Sequence, residues 1–139
     1  MPTALLLKTN GEIEPLELNN ETDAELIREK IGGWFDCVRS HEKKIVGYVH
    51  DEGLIIGLPA NPVATFLFDQ LLAGDCVIVG SYSEKGEYDG ESHELPSHFY
   101  SGRFSEMART MGADEALNER LNAMLANVDT SFTVTEWVE

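Results

Sequence analysis

Two adjacent carboxylates, Asp51 and Glu52, followed by Asn61, are the first residues in this chain that could do chemistry. A carboxylate pair can hold a divalent metal or pass a proton during hydrolysis, and an amide can orient a small ligand. The spacing argues for a plainer task. Side chains of neighbouring residues in a tight turn or strand diverge, and no third ligand stands nearby in sequence. The stretch HDEGLIIGLPANPVAT reads instead as an acidic turn with a glycine, an apolar strand, and a helix start. Asn61 fits the N-cap and Pro62 the first helical position, where a missing N–H is no loss. That proline, with no Lys or Arg close by, also argues against a phosphate cradle at this helix start. The corner is expected to be a joint. Its alternative use is a small-ligand or hydrolytic site built from Asp51, Glu52 and Asn61.

Other chemistry-bearing residues are weaker. HELPSH places His93 and His98 five apart with Pro96 between them. A zinc-protease box needs histidines four apart on a helix, which the proline forbids. Cys37 and His41 straddle a strand end and a turn, so their spacing alone makes no nucleophile–base pair. Cys76 sits inside an apolar run and reads as core. Nucleophile-elbow, P-loop and dinucleotide fingerprints do not occur. A non-enzymatic chain without cofactor or metal is the expectation.

Carboxylates recur with regular spacing. Glu21, Glu25 and Glu29 would form a ladder along one helix with steps of roughly 6 Å. Glu87, Asp89 and Glu91, if extended, would line one side at about 6.6 Å. Glu115 and Glu119 repeat the helical step. Such rows can stand in for a nucleic-acid backbone in the basic groove of a DNA-handling protein. Arg28 and Lys30 interrupt the first of them.

The elements that must carry these residues follow from local signals. ALLLKT (4–9) reads as a buried strand, and Asn10-Gly11 as the hairpin turn that returns IEPLEL (13–18) antiparallel. Pro15 makes the second strand an edge or places a bulge in it. The opposite parity of Ile13 and the pair Leu16, Leu18 would suit a bulge. Thr22 and Glu25 have capping-box spacing for a helix with Leu26, Ile27 and Ile31 on its apolar stripe, stopped at Gly32-Gly33. Residues 34–40 and 44–51 read as two strands around HEKK. A helix from Asn61-Pro62 carries Val63, Phe66, Leu67, Gln70 and Leu71 and ends before Gly74. Residues 75–83 form an apolar, central strand. Residues 84–98 read as a long loop or mobile hairpin tip, and 103–111 as a helix ended by Gly112. A second helix, capped by Asp114, carries Leu117, Leu121, Met124, Leu125 and Val128. The alternation in 130–139 reads as a closing strand. The expected architecture is one α+β domain, a mainly antiparallel sheet with helices packed on one side.

The chain has 139 residues and a formal net charge of −15. The acids are spread: 13 against 6 bases in residues 1–83, and 12 against 4 in residues 84–139. That surface repels phosphates and anionic lipid, so direct nucleic-acid or membrane binding is disfavoured and basic partners are suited. No apolar run reaches the roughly 18–20 residues of a membrane span, and the N-terminus lacks the basic region of a signal peptide. Two distant cysteines read as reduced thiols of a cytoplasmic protein.

IGGWFDCV, YVHDEGLIIGLPANPVAT and LLAGDCVIVG together resemble the family termed domain of unknown function 3846. The pieces are Gly32-Gly33, Asp51-Glu52-Gly53, Gly57-Leu58-Pro59 with Asn61, and Gly74-Asp75 with Gly80, spread over residues 3–83. The resemblance implies a context of bacteriophages, plasmids and actinobacterial genomes, and no established activity. Charge and context together give the functional expectation: a small acidic accessory protein that binds a host protein inside the bacterial cytoplasm. One form of it mimics nucleic acid in counter-defence or host takeover. The other is an adaptor with a mixed interface anchored on aromatics among Trp34, Tyr82, Tyr88, Phe99, Tyr100 and Trp137. Open sheet edges would also allow a homodimer.

Overall fold

A computed structural model of the chain describes residues 3–18, 23–53, 55–82 and 86–138, with the side chains of 3, 88–92 and 128–138 outside that description. Among these residues six strands come in three consecutive pairs separated by helices. They are β1 (Thr3–Leu7), β2 (Ile13–Glu17), β3 (Phe35–Ser40), β4 (Ile45–His50), β5 (Cys76–Tyr82) and β6 (Tyr88–His93). The helices are α1 (Asp23–Ile31), α2 (Pro62–Phe68), α3 (Gly102–Ala113) and α4 (Glu115–Val138), with a 3₁₀ turn at Ser97–Tyr100. The sheet order is β2-β1-β5-β4-β3, with β6 pairing the far end of β5, and every pairing is antiparallel. The α+β class and the antiparallel sheet are as expected.

The helices divide between the faces. Leu5, Leu7, Ile45, Val49, Cys76 and Ile78 pack with α2, α3 and the 3₁₀ turn. Their alternates Ala4, Leu6, Val46, Val77 and Val79 pack with Ile27 and Ile31 of α1. Thus α1 covers the face opposite to α2 and α3, where a single helical side was expected. The runs ALLL and CVIV have no polar alternation because both faces of β1 and β5 are covered. The same fact explains β2. Its register with β1 is regular from Glu17 to Ile13. Ile13 packs on the α2/α3 side and Leu16 and Leu18 on the α1 side, so their opposite parity needs no bulge.

Local chemistry sets several joints. The β1–β2 loop is a three-residue turn: Lys8 N–H donates to Glu12 O (2.9 Å), Gly11 N–H to Lys8 O (2.9 Å), and Gly11 has φ +90°. A two-residue turn would have used Asn10-Gly11 as its centre; here Gly11 holds the left-handed closing position instead. Helix α3 then lies against this turn. A Cβ on Gly112 would overlap the Asn10 carbonyl, and one on Gly11 the Ala108 carbonyl. Gly112 therefore stays inside α3 as a contact point and does not end the helix. Helix α2 is shorter than its apolar spacing suggests, ending at Asp69 (φ +53°). The chain folds back there because Thr65 Oγ1 accepts the Leu72 N–H (3.1 Å) and Ala60 bridges Ala73.

Three further expectations are corrected. Residues 88–93 form β6, antiparallel to β5 on its open side beyond the end of β1, so of the two readings of 84–98 the hairpin holds, with a strand inside the segment where only a tip was expected. Residues 55–57 are turns: both Ile55 and Ile56 N–H groups bond to Glu52 O (3.0 and 2.9 Å), so no strand forms and both side chains are exposed. The closing strand is absent: α4 continues to Val138, because extending a formed helix adds one hydrogen bond for each residue fixed. The capping-box Thr22 lies outside the described residues. No helix among the described residues is long and apolar enough to cross a membrane.

Cys76 is fully buried against the sheet, and burial pushes its thiol up to about 12. Cys37 is exposed on β3. A thiol reagent is expected to modify Cys37 alone in the native protein and both cysteines after unfolding. The folded state holds the Cys76 proton more tightly than the unfolded chain, so this group costs stability as pH rises from 9.0 toward about 12. Denaturant midpoints across that range should fall less in Cys76→Ala than in the native sequence.

Candidate functional site

The corner and the first helix meet at one end of the sheet. Helix α1 stops where Gly32 and Gly33 N–H groups both donate to Arg28 O (2.8 and 3.1 Å), with Gly32 at φ +91°. The chain then passes over His50 so closely that a Cβ on Gly33 would stand 2.6 Å from its Nε2. Trp34 follows, its carbonyl accepting the Asp51 N–H (3.0 Å). Its indole is 67% exposed, yet the Arg28 guanidinium lies 4.5 Å from the ring centroid. Glu25, Arg28, Glu29, Gly33 and Trp34 line an open depression of about 430 Å³. An aromatic face, a stacked cation and two exposed carboxylates thus share one surface. Arg28 was read from the sequence as interrupting the acidic ladder; the turn of the helix makes it the bridge between ladder and tryptophan.

The DEG turn lies beside this surface but carries no reactive arrangement. Asp51 and Glu52 are exposed. Glu52 N–H donates to His50 Nδ1 (3.0 Å), so that nitrogen is an acceptor and carries no proton. The 3.7 Å approach of Asp51 Oδ1 to the same nitrogen is therefore not an ion pair.

Asn61 is fully buried and bonded throughout. Its Nδ2 donates to Leu7 O (2.9 Å) and Gly74 O (3.0 Å), and its Oδ1 accepts the Ala64 N–H (3.0 Å). Two carbonyls and one N–H leave no ambiguity about the amide's orientation. Its backbone N–H donates to Leu72 O (2.9 Å) and its carbonyl accepts the Thr65 N–H (3.0 Å). The neighbouring motif residues join the same network: Gly74 N–H to Pro59 O (2.8 Å), Leu58 N–H to Gly53 O (3.0 Å), and Thr9 N–H to Asp75 Oδ1 (3.1 Å). Asn122 of α4 reaches in to accept the Ala60 N–H (2.9 Å). Asn61 has neither exposed surface nor a spare hydrogen for a ligand, so Asp51, Glu52 and Asn61 do not assemble into a site.

Of the carboxylate rows, Glu25 and Glu29 are exposed on α1, while Glu21 lies outside the described residues. Glu87 is exposed at the start of the β6 hairpin arm; Asp89 and Glu91 lie on β6 with their side chains outside the description. Glu115 and Glu119 are exposed on α4. Lys30 is taken up by Glu14 (3.1 Å) across the sheet edge. Among the aromatics, Phe99 is core and Tyr82 is half-buried, whereas Trp34 and Tyr100 are exposed. Tyr88 and Trp137 have side chains outside the description.

These features define a small antiparallel α+β domain with a buried polar corner and a mixed acidic–aromatic end. The family model Domain of unknown function (DUF3846) matches residues 2–105, and the chain belongs to that family. The match runs past the 3–83 core read from the sequence motifs, through β6 and the 3₁₀ turn into the first residues of α3. No curated protein and no solved structure matches the chain.

Proposed function

We propose that this is a non-enzymatic binding protein that docks a basic host protein on the α1–Trp34 surface. The reading rests on one observation: Trp34 stands two-thirds exposed beside Glu25 and Glu29 on a chain with 25 acids and 10 bases. Exposed tryptophans supply much of the affinity where they meet a partner, and the surrounding negative field speeds the approach of a basic one. The mobile-element context of the family suits a partner in the host cytoplasm, including one that grips nucleic acid. Arg28 stacked over the indole favours a mixed interface over a pure phosphate mimic, because a mimic needs its anions unbroken.

Salt-stepped retention from nuclease-treated bacterial host lysate tests this, with variants beside the native chain. Trp34→Ala is expected to weaken the retained partner roughly 30-fold, about 2 kcal/mol. Glu25→Lys with Glu29→Lys should slow association and flatten its salt dependence. Loss only with the charge reversal, and steep release by salt, would transfer the reading to nucleic-acid mimicry. A partner that neither variant disturbs would remove the α1–Trp34 surface from consideration.

A further inference from the structure

Among the described residues the main path of the sheet ends in two strands, β2 and β3, which are not alike, and β6 pairs only with β5. Lys8 pairs with Glu12 through a backbone bond, so by the two-residue alternation Ile13, Pro15 and Glu17 turn their backbone groups outward on β2. Pro15 sits at the centre of that edge and has no N–H to offer. On β3 the bond from Asp51 N–H to Trp34 O sets the phase, so Asp36, Val38 and Ser40 bond to β4. Phe35, Cys37 and Arg39 then direct their N–H and C=O groups away from the sheet. Among the described residues, no strand other than β4 pairs with β3.

We propose that two copies of the chain join β3 to β3 about a two-fold axis at Cys37, extending one antiparallel sheet through both. A two-fold axis normal to the sheet keeps each side chain on its own face, which restricts the register. Centring on Asp36 opposes two like charges. Centring on Val38 leaves Phe35 opposite His41, outside the strand. Centring on Cys37 matches Phe35 with Arg39 of the other copy twice and Cys37 with itself. All three outward residues of each copy then bond to one another, and each Arg39 guanidinium meets a Phe35 ring. The strand itself is charge-neutral, with Asp36 and Arg39, although the whole chain is strongly acidic. Two such acidic chains repel, and salt screens that repulsion, so this association strengthens with salt.

Sedimentation of the full chain at several salt concentrations reads the proposal, which stands apart from the partner reading above. The expected result is a dimer whose share rises with salt. A bifunctional maleimide should link it through Cys37, because Cys76 is buried. Cys37→Lys opposes two ammonium groups at the axis and should raise the dissociation constant by about tenfold or more. Cys37→Pro removes an outward N–H only, so it should give a folded monomer by circular dichroism. Trp34→Ala should leave the dimer intact while weakening the basic partner. A monomer at every salt, a dimer that salt dissolves, or one that survives both Cys37 variants uncross-linked would overturn the proposal.

Discussion

Asn61→Ala is expected to cost about 4 kcal/mol of stability. The change removes the amide donor from two buried carbonyls, Leu7 O and Gly74 O, and the acceptor from the Ala64 N–H at the start of α2, although Leu7 keeps its ladder place opposite Cys76. Each buried group left unpaired costs about 1–3 kcal/mol, and the lost cap about 1 kcal/mol. A domain of this size holds only about 5–15 kcal/mol in all, so the variant should unfold at far lower urea. A loss below about 1 kcal/mol would mean that water had entered and satisfied the groups the amide had bonded. Asn61→Asp separates geometry from charge. It keeps the cap acceptor but turns a carboxylate toward two carbonyl oxygens. Its folded form holds a proton more tightly than the unfolded chain, whose carboxyl titrates near about 3.9. Stability of this variant relative to the native chain is therefore greatest below that value and declines as pH rises past it. Urea midpoints between acid and neutral pH check the sign. A difference that did not change with pH would show that the new carboxylate reaches solvent.

Gly112→Ala is expected to destabilise by about 3 kcal/mol, against the usual direction of such a change. In an exposed helix, replacing glycine by alanine gains up to about 1 kcal/mol. Here the added methyl would overlap the Asn10 carbonyl and stand 2.5 Å from Gly11 Cα, and both are backbone that cannot rotate away. Helix α3 would have to lift from the β1–β2 turn, pulling Phe104 and Ala108 from the core they share with Leu5 and Leu7. Thermal or urea unfolding decides by sign alone. A variant more stable than the native chain would show that the helix-to-turn contact is not close in solution.

Both predictions concern places where the sequence named the right residue with only part of its task. Asn61-Pro62 is legible as a helix start, because a cap needs only the residues adjoining it. That its amide also closes on Leu7 and Gly74 depends on β1 and the β5 approach arriving together, which no local spacing encodes. Gly112 looks like a helix stop for the same reason. Its real constraint is a backbone 101 residues away in sequence, at Gly11.

The chain by itself determined what local chemistry can determine. The Asn10-Gly11 hairpin, the Pro15 edge, the glycine stop of α1, the Asn61 cap, the apolar central strand β5 and the acidic surface all follow from near-neighbour residues. Tertiary structure decided the rest. Helix α1 took the opposite face because ALLL and CVIV had two apolar sides to cover. The β-branched residues at 130–138 stayed helical because α4 was already anchored by Leu121, Leu125 and Asn122. Propagating a formed helix adds one hydrogen bond for each residue fixed, whereas strand preference depends on the neighbours a strand packs against. Arg28 and Trp34 became one surface because the Gly32-Gly33 reversal turned β3 back beneath the end of α1. Contacts across long sequence separations depend on where whole elements settle, and that is set by burying apolar faces rather than by the residues next in line.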